Sequence, residues 1–353
     1  MGEAGMRTTE AAMRYLALAS APAAVSAASA ATSPASRREE APSKPVLTKR
    51  TELRIVLATD GSAAADCACE LAANLDWPVG TTIELVTAYD PATPATVLTG
   101  LGDFPDTIDA IAEAIRKDAQ FIVDSAARRL ERPGLCVEAR VAEGRAADVI
   151  LQSAASLGAN LVIVGHRGLG PFESAMLGSV SAEVIERAAC PVLVARTVGM
   201  GRILVADDGS EPVERRDELI HTLSSLYRGS VVVVSVAERD PHWPGWTRTL
   251  EPHHLGRAAD VASADRAAHE QIARTTAERL WAAGLDATYS VIEGQPARCL
   301  VDAAVSERAD LIVIGAPTLA ARRTQVSGKI ARAVLAHAPC SVLVIPESEA
   351  PHP

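Results

Sequence analysis

The chain has 353 residues, 48% hydrophobic, 22% charged and only 3% aromatic, with a net charge of −10 at neutral pH. That length fits two domains better than one, and the core they bury has to be aliphatic. The acidic balance excludes a general nucleic-acid binder, which needs clustered Lys and Arg, and no apolar run approaches the roughly 20 residues that span a bilayer.

Taken in chain order, residues 1–50 stand apart. They hold 14 Ala with many Ser and Pro. Such a stretch buries too little apolar surface to offset its ordering entropy, so a disordered tail is expected. A secretory signal is the alternative, because Tyr15 to Ala31 is mildly apolar. Against it, Glu3 and Glu10 cancel Arg7 and Arg14, and the apolar run is Ala-Ser rather than Leu-rich. The cysteines (Cys67, Cys69, Cys136, Cys190, Cys299 and Cys340) form no C-x-x-C pair. They are too few for a disulfide scaffold and read as buried, reduced thiols of a cytoplasmic protein.

From residue 51 onward the pattern changes. Short Val/Ile/Leu runs predict strands near 53–59, 82–88, 135–141, 160–165 and 191–195. Longer Ala-rich stretches of helical period predict helices near 63–76, 107–131, 145–157 and 179–188. Runs such as LVIVG and PVLVAR are apolar at nearly every position, as a parallel strand covered on both faces requires. Strict alternation of strand and helix gives a doubly wound α/β sandwich with right-handed crossovers.

The same blocks then return. Val141-Ala142-Glu143-Gly144 recurs as Val291-Ile292-Glu293-Gly294. Ala159 to Gly165 recurs as Ala309 to Gly315, and Cys190 to Val194 as Cys340 to Val344. Ile55 to Ser62 matches Ile203 to Ser210. Repeats this long are whole domains rather than solenoid turns. The organisation read from them is a tail at 1–50, one domain at 51–198, a second at 199–347, and a short tail at 348–353.

In open α/β sheets, ligands bind beyond the carboxyl ends of the strands. In the first repeat one strand ends in Asp60-Gly61-Ser62, and another in Gly165-His166-Arg167-Gly168. Gly178-Ser179-Val180-Ser181 then opens a helix. Glycines allow close approach to a ligand, and a helix N-terminus attracts anions, so this segment favours a phosphate. The competing reading is a Gly-rich turn before an ordinary capped helix. No G-x-x-x-x-G-K-[ST] is present, and no G-x-G-x-x-G follows the first strand, so the P-loop and dinucleotide fingerprints are absent.

The spacing Gly165-x2-Gly168-x9-Gly178-Ser179 resembles the ATP-binding signature of the universal stress protein family, G-x2-G-x9-G-[S/T]. Asp60, the V-x-E-G block and the closing A-C-P-V-L-V are also similar to that family. The resemblance implies two tandem, Rossmann-like (HUP-type) domains, each a five-stranded parallel sheet of order 3-2-1-4-5, pairing through their last strands. It implies ATP, with Mg2+ as a companion, bound as a regulatory ligand with at most slow hydrolysis. Carried over by position, Ala58, Thr59, Asp60 and Ala88 would lie by the adenosine moiety. Val164, Gly165, His166 and Arg167 would run along the ribose and phosphates, and Gly168, Gly178, Ser179 and Val180 would hold the phosphates.

The second repeat departs from this pattern. Asp208 and Gly315 are kept, but Pro317-Thr318 stands at the second glycine and Gly328-Lys329 at the final Gly-Ser, with Arg322 and Arg323 nearby. A pairing role is expected for it rather than ATP binding. His242, His253, His254 and His269 lack ligand spacing with carboxylate or Cys, so no metal is expected. Trp243 and Trp246 read as a surface or interface loop. The alternative function is a nucleotide-independent interaction scaffold, either within one chain or in a homodimer. An adenylyl-transferring enzyme would need S-G-G-x-D-S or H-x-G-H, and neither occurs.

Overall fold

Nearly every strand run packs against helices on both faces, and that places the sheet at the centre. The computed structural model describes residues 52–90, 105–167, 177–209, 229–238, 252–316 and 325–346. The first repeat contributes β1 (Arg54–Ala58), α1 (Ala63–Asn74), β2 (Thr81–Tyr89), α2 (Pro105–Leu130), β3 (Leu135–Glu143), α3 (Ala146–Leu157), β4 (Leu161–Gly165), α4 (Ser179–Arg187) and β5 (Val192–Ala195). The second contributes β6 (Arg202–Ala206), β7 (Ser230–Glu238), α5 (Pro252–Ala282), β8 (Asp286–Gly294), α6 (Pro296–Ser306), β9 (Leu311–Ala316), α7 (Gln325–His337) and β10 (Ser341–Pro346).

All ten strands form one sheet, in the order β3-β2-β1-β4-β5-β10-β9-β6-β7-β8. Each half is parallel and has the expected 3-2-1-4-5 order. The halves meet where β5 pairs antiparallel with β10, with Leu193 opposite Leu343. That pair is equivalent in the two repeats, so a pseudo-two-fold axis passes through it.

Alternate residues of each strand feed two aliphatic cores. One holds Ile55, Leu57, Ile83, Leu85 and Ile163 under α1 and α2, and continues into the second half under α5. The other holds Val56, Val86, Val162 and Val164 under α3 and α4, and continues under α6 and α7. At roughly 25 cal/mol per Å² of apolar area, such burial dominates the stability. The central β4 is buried along its whole length. The edge strand β3 has no fully buried residue, because it has a neighbour on only one side. Cys136 lies on it and is exposed, unlike the buried Cys69, Cys190 and Cys340.

The seam is more than two apolar strands. Ser341 Oγ accepts from the Arg196 and Thr197 amides at 3.1 and 3.2 Å and donates to the Thr197 carbonyl at 3.2 Å. The Arg196 guanidinium donates to the Leu335 carbonyl near the end of α7. Arg332 on α7 pairs with Glu186 on α4 at 2.5 Å.

No helix among the described residues is long and apolar enough to cross a membrane. The expected tails at 1–50 and 348–353 lie outside the described residues. So do Gly168, Pro317, Thr318, Arg322, Arg323, His242, Trp243 and Trp246.

Candidate functional site

The turn after β1 is built by its own polar side chains. Asp60 Oδ1 accepts from the Ser62 amide at 3.0 Å, and Thr59 Oγ1 accepts from the Gly61 amide at 3.3 Å. Gly61 sits at φ +75°, where a β-carbon is strained. Ser62 then caps α1, its Oγ accepting from the Ala65 amide at 3.2 Å. Capping therefore falls to Ser62, while Asp60 shapes the turn. The Thr59 carbonyl is held by Thr87 Oγ1 at 2.9 Å, and both threonines are buried.

The end of β4 is tied to the start of α4. The Gly178 amide donates to the His166 carbonyl at 2.8 Å, and Ser181 Oγ donates to the Gly165 carbonyl at 2.7 Å. Gly178 is the N-cap of α4 and supplies no side-chain cap. The first-turn amides of that helix, which have no partner within the helix, start beside an open cleft.

That cleft has a volume of about 340 Å³. It lies between the ends of β2 and β3 and the first turns of α3 and α4. Ala88 and Asp90 bound one side, Gly144 to Ala147 a second, and Ser179, Val180 and Glu183 a third. Its size suits a small-molecule ligand. Of the residues expected from sequence, Ala88, Ser179 and Val180 line it. Ala58 is half-buried beside Ala88 against the same core, and Val164 and Gly165 are buried in the sheet.

Gly165 has a packing task beside the one its spacing suggests. A β-carbon there would lie 2.6 Å from the Ala64 carbonyl carbon and oxygen and 2.9 Å from the Ala65 nitrogen. Its missing side chain lets β4 meet the start of α1. The His166 Nδ1 is buried without a hydrogen-bond partner among the described residues. Burial, followed by the nearby Arg196 and Arg167 cations, holds its pKa below the usual histidine value. The ring is therefore neutral at pH 7.

Arg145, Asp90 and Glu183 were not anticipated. Arg145 directly follows the repeated V-x-E-G block, and Glu183 stands one turn beyond Ser179, so position alone could have raised them. Arg145 reaches Glu183 at 3.0 Å and Asp148 at 3.6 Å. Arg187 holds the same two carboxylates at 2.6 and 2.7 Å.

The second repeat keeps the same turn, with Gly209 at φ +76° in the place of Gly61, but changes the side chains around it. Asp207 replaces Thr59 and is buried, accepting from the Gly209 amide at 3.0 Å and from Thr276 Oγ1 at 2.6 Å. Ser235 Oγ donates to the Asp207 carbonyl at 2.5 Å and contacts His269 Nδ1 at 2.9 Å. The half-buried His269 and the buried Thr276 thus join a polar network at α5, where the first repeat has Ala119 and Ala126 in their places. His253 and His254 fall on α5, and no group of potential metal ligands occurs among the described residues. Gly328 is no N-cap, because α7 already begins at Gln325.

Comparison with known proteins agrees with this organisation. The model of the universal stress protein family matches residues 53–196 and again 200–346. The universal stress protein YxiE of Bacillus subtilis is 31% identical over 145 residues, 40% of this chain and 98% of that protein. A universal stress protein from Archaeoglobus fulgidus of known crystal structure covers 84% of this chain and 98% of its own, with a TM-score of 0.59 at 19% identity. A universal stress protein crystallised in complex with cAMP covers 41% of this chain and 98% of its own, at 25% identity and a TM-score of 0.27.

Proposed function

The chain belongs to the universal stress protein family, and on that footing we propose that its first repeat binds ATP as a regulatory ligand in a cytoplasmic stress response. One observation carries the reading. The cleft of about 340 Å³ is closed on one side by the first turn of α4, whose N-cap glycine offers no side chain to its amides. Those amides and the positive end of the helix dipole suit a phosphate. The small side chains of Ala88, Ala146 and Ala147 leave room for a flat base. Gly165, Gly178 and Ser179 carry the family spacing through the same strand end and helix start. Mg2+ would accompany the phosphates as their counter-ion.

The second repeat serves mainly as a partner. It fills the β5 edge within one chain, so the seam that a homodimer of single domains would use is already occupied. Its helix start has no glycine N-cap, and Asp207, which stands in the place of Thr59, is committed to an internal network. The free thiols suit a reducing compartment.

Isothermal titration of the full chain with ATP, with cAMP as comparator, tests this reading. Ser179→Asp places a negative charge at the helix start, which the helix itself tolerates but a phosphate does not. Wild-type protein should bind ATP and the variant should bind at least about tenfold more weakly, the loss of one charge-assisted contact. Absence of ATP binding by the wild type, or equal binding by both, rejects the proposal.

A further inference from the structure

We propose that Arg145 is an exchangeable cation that sets the charge selectivity of the cleft. It would leave Glu183 for the phosphates of a bound nucleotide and so favour polyphosphate ligands over uncharged nucleosides. This rests on the reading of the cleft as a nucleotide site and adds to it a residue outside the glycine signature.

The argument begins with the ion-pair ring at the mouth of the cleft. Arg145 precedes the first turn of α3, and Glu183 lies in the second turn of α4; both line the cleft. Arg145 uses one guanidinium nitrogen for Glu183 Oε2 at 3.0 Å and the other for Asp148 Oδ2 at 3.6 Å. Arg187, outside the cleft, contacts Glu183 Oε1 at 2.6 Å and Asp148 Oδ1 at 2.7 Å. Each carboxylate therefore has two cationic partners on separate oxygens. When Arg145 turns away, Arg187 still contacts one oxygen of each acid, so neither is left without a cationic partner.

Exposure points the same way. The Arg145 side chain is 69% exposed, against 41% for Arg187. An exposed pair of this kind holds its partners weakly, so exchange to a multiply charged phosphate is downhill. Without Arg145, the single Arg187 guanidinium would face the two carboxylates of Glu183 and Asp148, and a polyphosphate would meet repulsion. The ring is confined to the first repeat. Gln295 stands at the position of Arg145, Arg298 at that of Asp148, Ala333 at that of Glu183 and His337 at that of Arg187. The repeat that keeps the glycine signature is the one that carries the exchangeable arginine.

The test is isothermal titration of full-length wild type, Arg145→Gln, Arg145→Lys and Glu183→Gln with ATP, AMP and adenosine in one Mg2+ buffer. Arg145→Gln should weaken ATP by about tenfold or more, AMP by less, and adenosine hardly at all. Arg145→Lys should recover part of the loss, because it keeps the charge but not the fork. Glu183→Gln should tighten ATP. Thermal melts of each variant confirm that the fold is intact. If wild type binds ATP and Arg145→Gln binds it equally, or loses ATP and adenosine to the same degree, Arg145 has no such role while the nucleotide reading stands. If wild type binds no nucleotide, both fall together.

Discussion

Replacing Gly165 by Ala isolates packing from ligand binding at the centre of the signature. The added β-carbon would sit 2.6 Å from the Ala64 carbonyl carbon and oxygen. Carbon pairs are comfortable at about 3.5 Å or more, so α1 and β4 must part by close to 1 Å. Neither yields easily. β4 is buried along its length, and α1 is anchored by the Ser62 cap and by buried Ala68, Leu71 and Ala72. Overpacking costs about 1–3 kcal/mol, and main chain rather than a flexible side chain stands in the way here, so a loss of about 3 kcal/mol is expected. The urea m-value grows with size and is at least about 3 kcal/mol/M for a chain this long, so the unfolding midpoint should fall by up to about 1 M. Gly178→Ala, whose β-carbon would lie 3.1 Å from Arg167 Cα, should lose about 1 kcal/mol as an N-cap change. Urea denaturation followed by circular dichroism gives both values. A Gly165→Ala protein as stable as wild type yet defective in ATP binding would refute the packing account and return the glycine to the ligand.

Two further outcomes are expected. Ser341→Ala removes the acceptor of two amides across the β5–β10 seam; it should cost about 2 kcal/mol in urea denaturation, whereas Ser306→Ala, on an outer helix end, should change little. In thiol labelling of the folded protein at pH 8, the exposed Cys136 should react first. Cys69 and Cys340, whose pKa values burial pushes up to about 11 and about 12, should stay protonated and slow. Rapid labelling of Cys340, or an unchanged fast phase in Cys136→Ser, would contradict this.

Much of the fold was legible because buried parallel strands leave a plain record. LVIVG at 161–165 has no polar position, and its repeat near 311–315 fixed the duplication. The predicted elements of the first repeat agree with the structure to within about two residues at each end, the usual uncertainty of helix and strand limits. The strand order and the pairing through the last strands followed from family resemblance, since no local pattern encodes which edges meet. The site was legible in part. Glycines and a helix start can be read from spacing, so Ser179 and Val180 were found at the cleft. Arg145 and Glu183 were missed because their contact joins residues 38 positions apart, and nothing in either neighbourhood announces it. Gly165 shows the opposite limit: a signature glycine answers to a helix main chain that only three dimensions bring near. Cys136 shows a third, because a thiol on an edge strand reads in sequence like one in the core.

The antiparallel join at β5–β10 has a consequence for how the two halves have diverged. A symmetric dimer of identical chains must satisfy its own interface twice with one surface, and any change in its ligand site appears in both copies. Fusion lifts both constraints. Pairing within one chain does not weaken on dilution, because the partner's effective concentration is set by the short connection at 196–201 rather than by abundance. Each half answers to one partner only, so the second could carry Asp207 in the place of Thr59, and His269 and Thr276 in the places of Ala119 and Ala126, without cost to the first. Reversal of strand direction at the seam also sends the carboxyl ends of the two half-sheets to opposite rims.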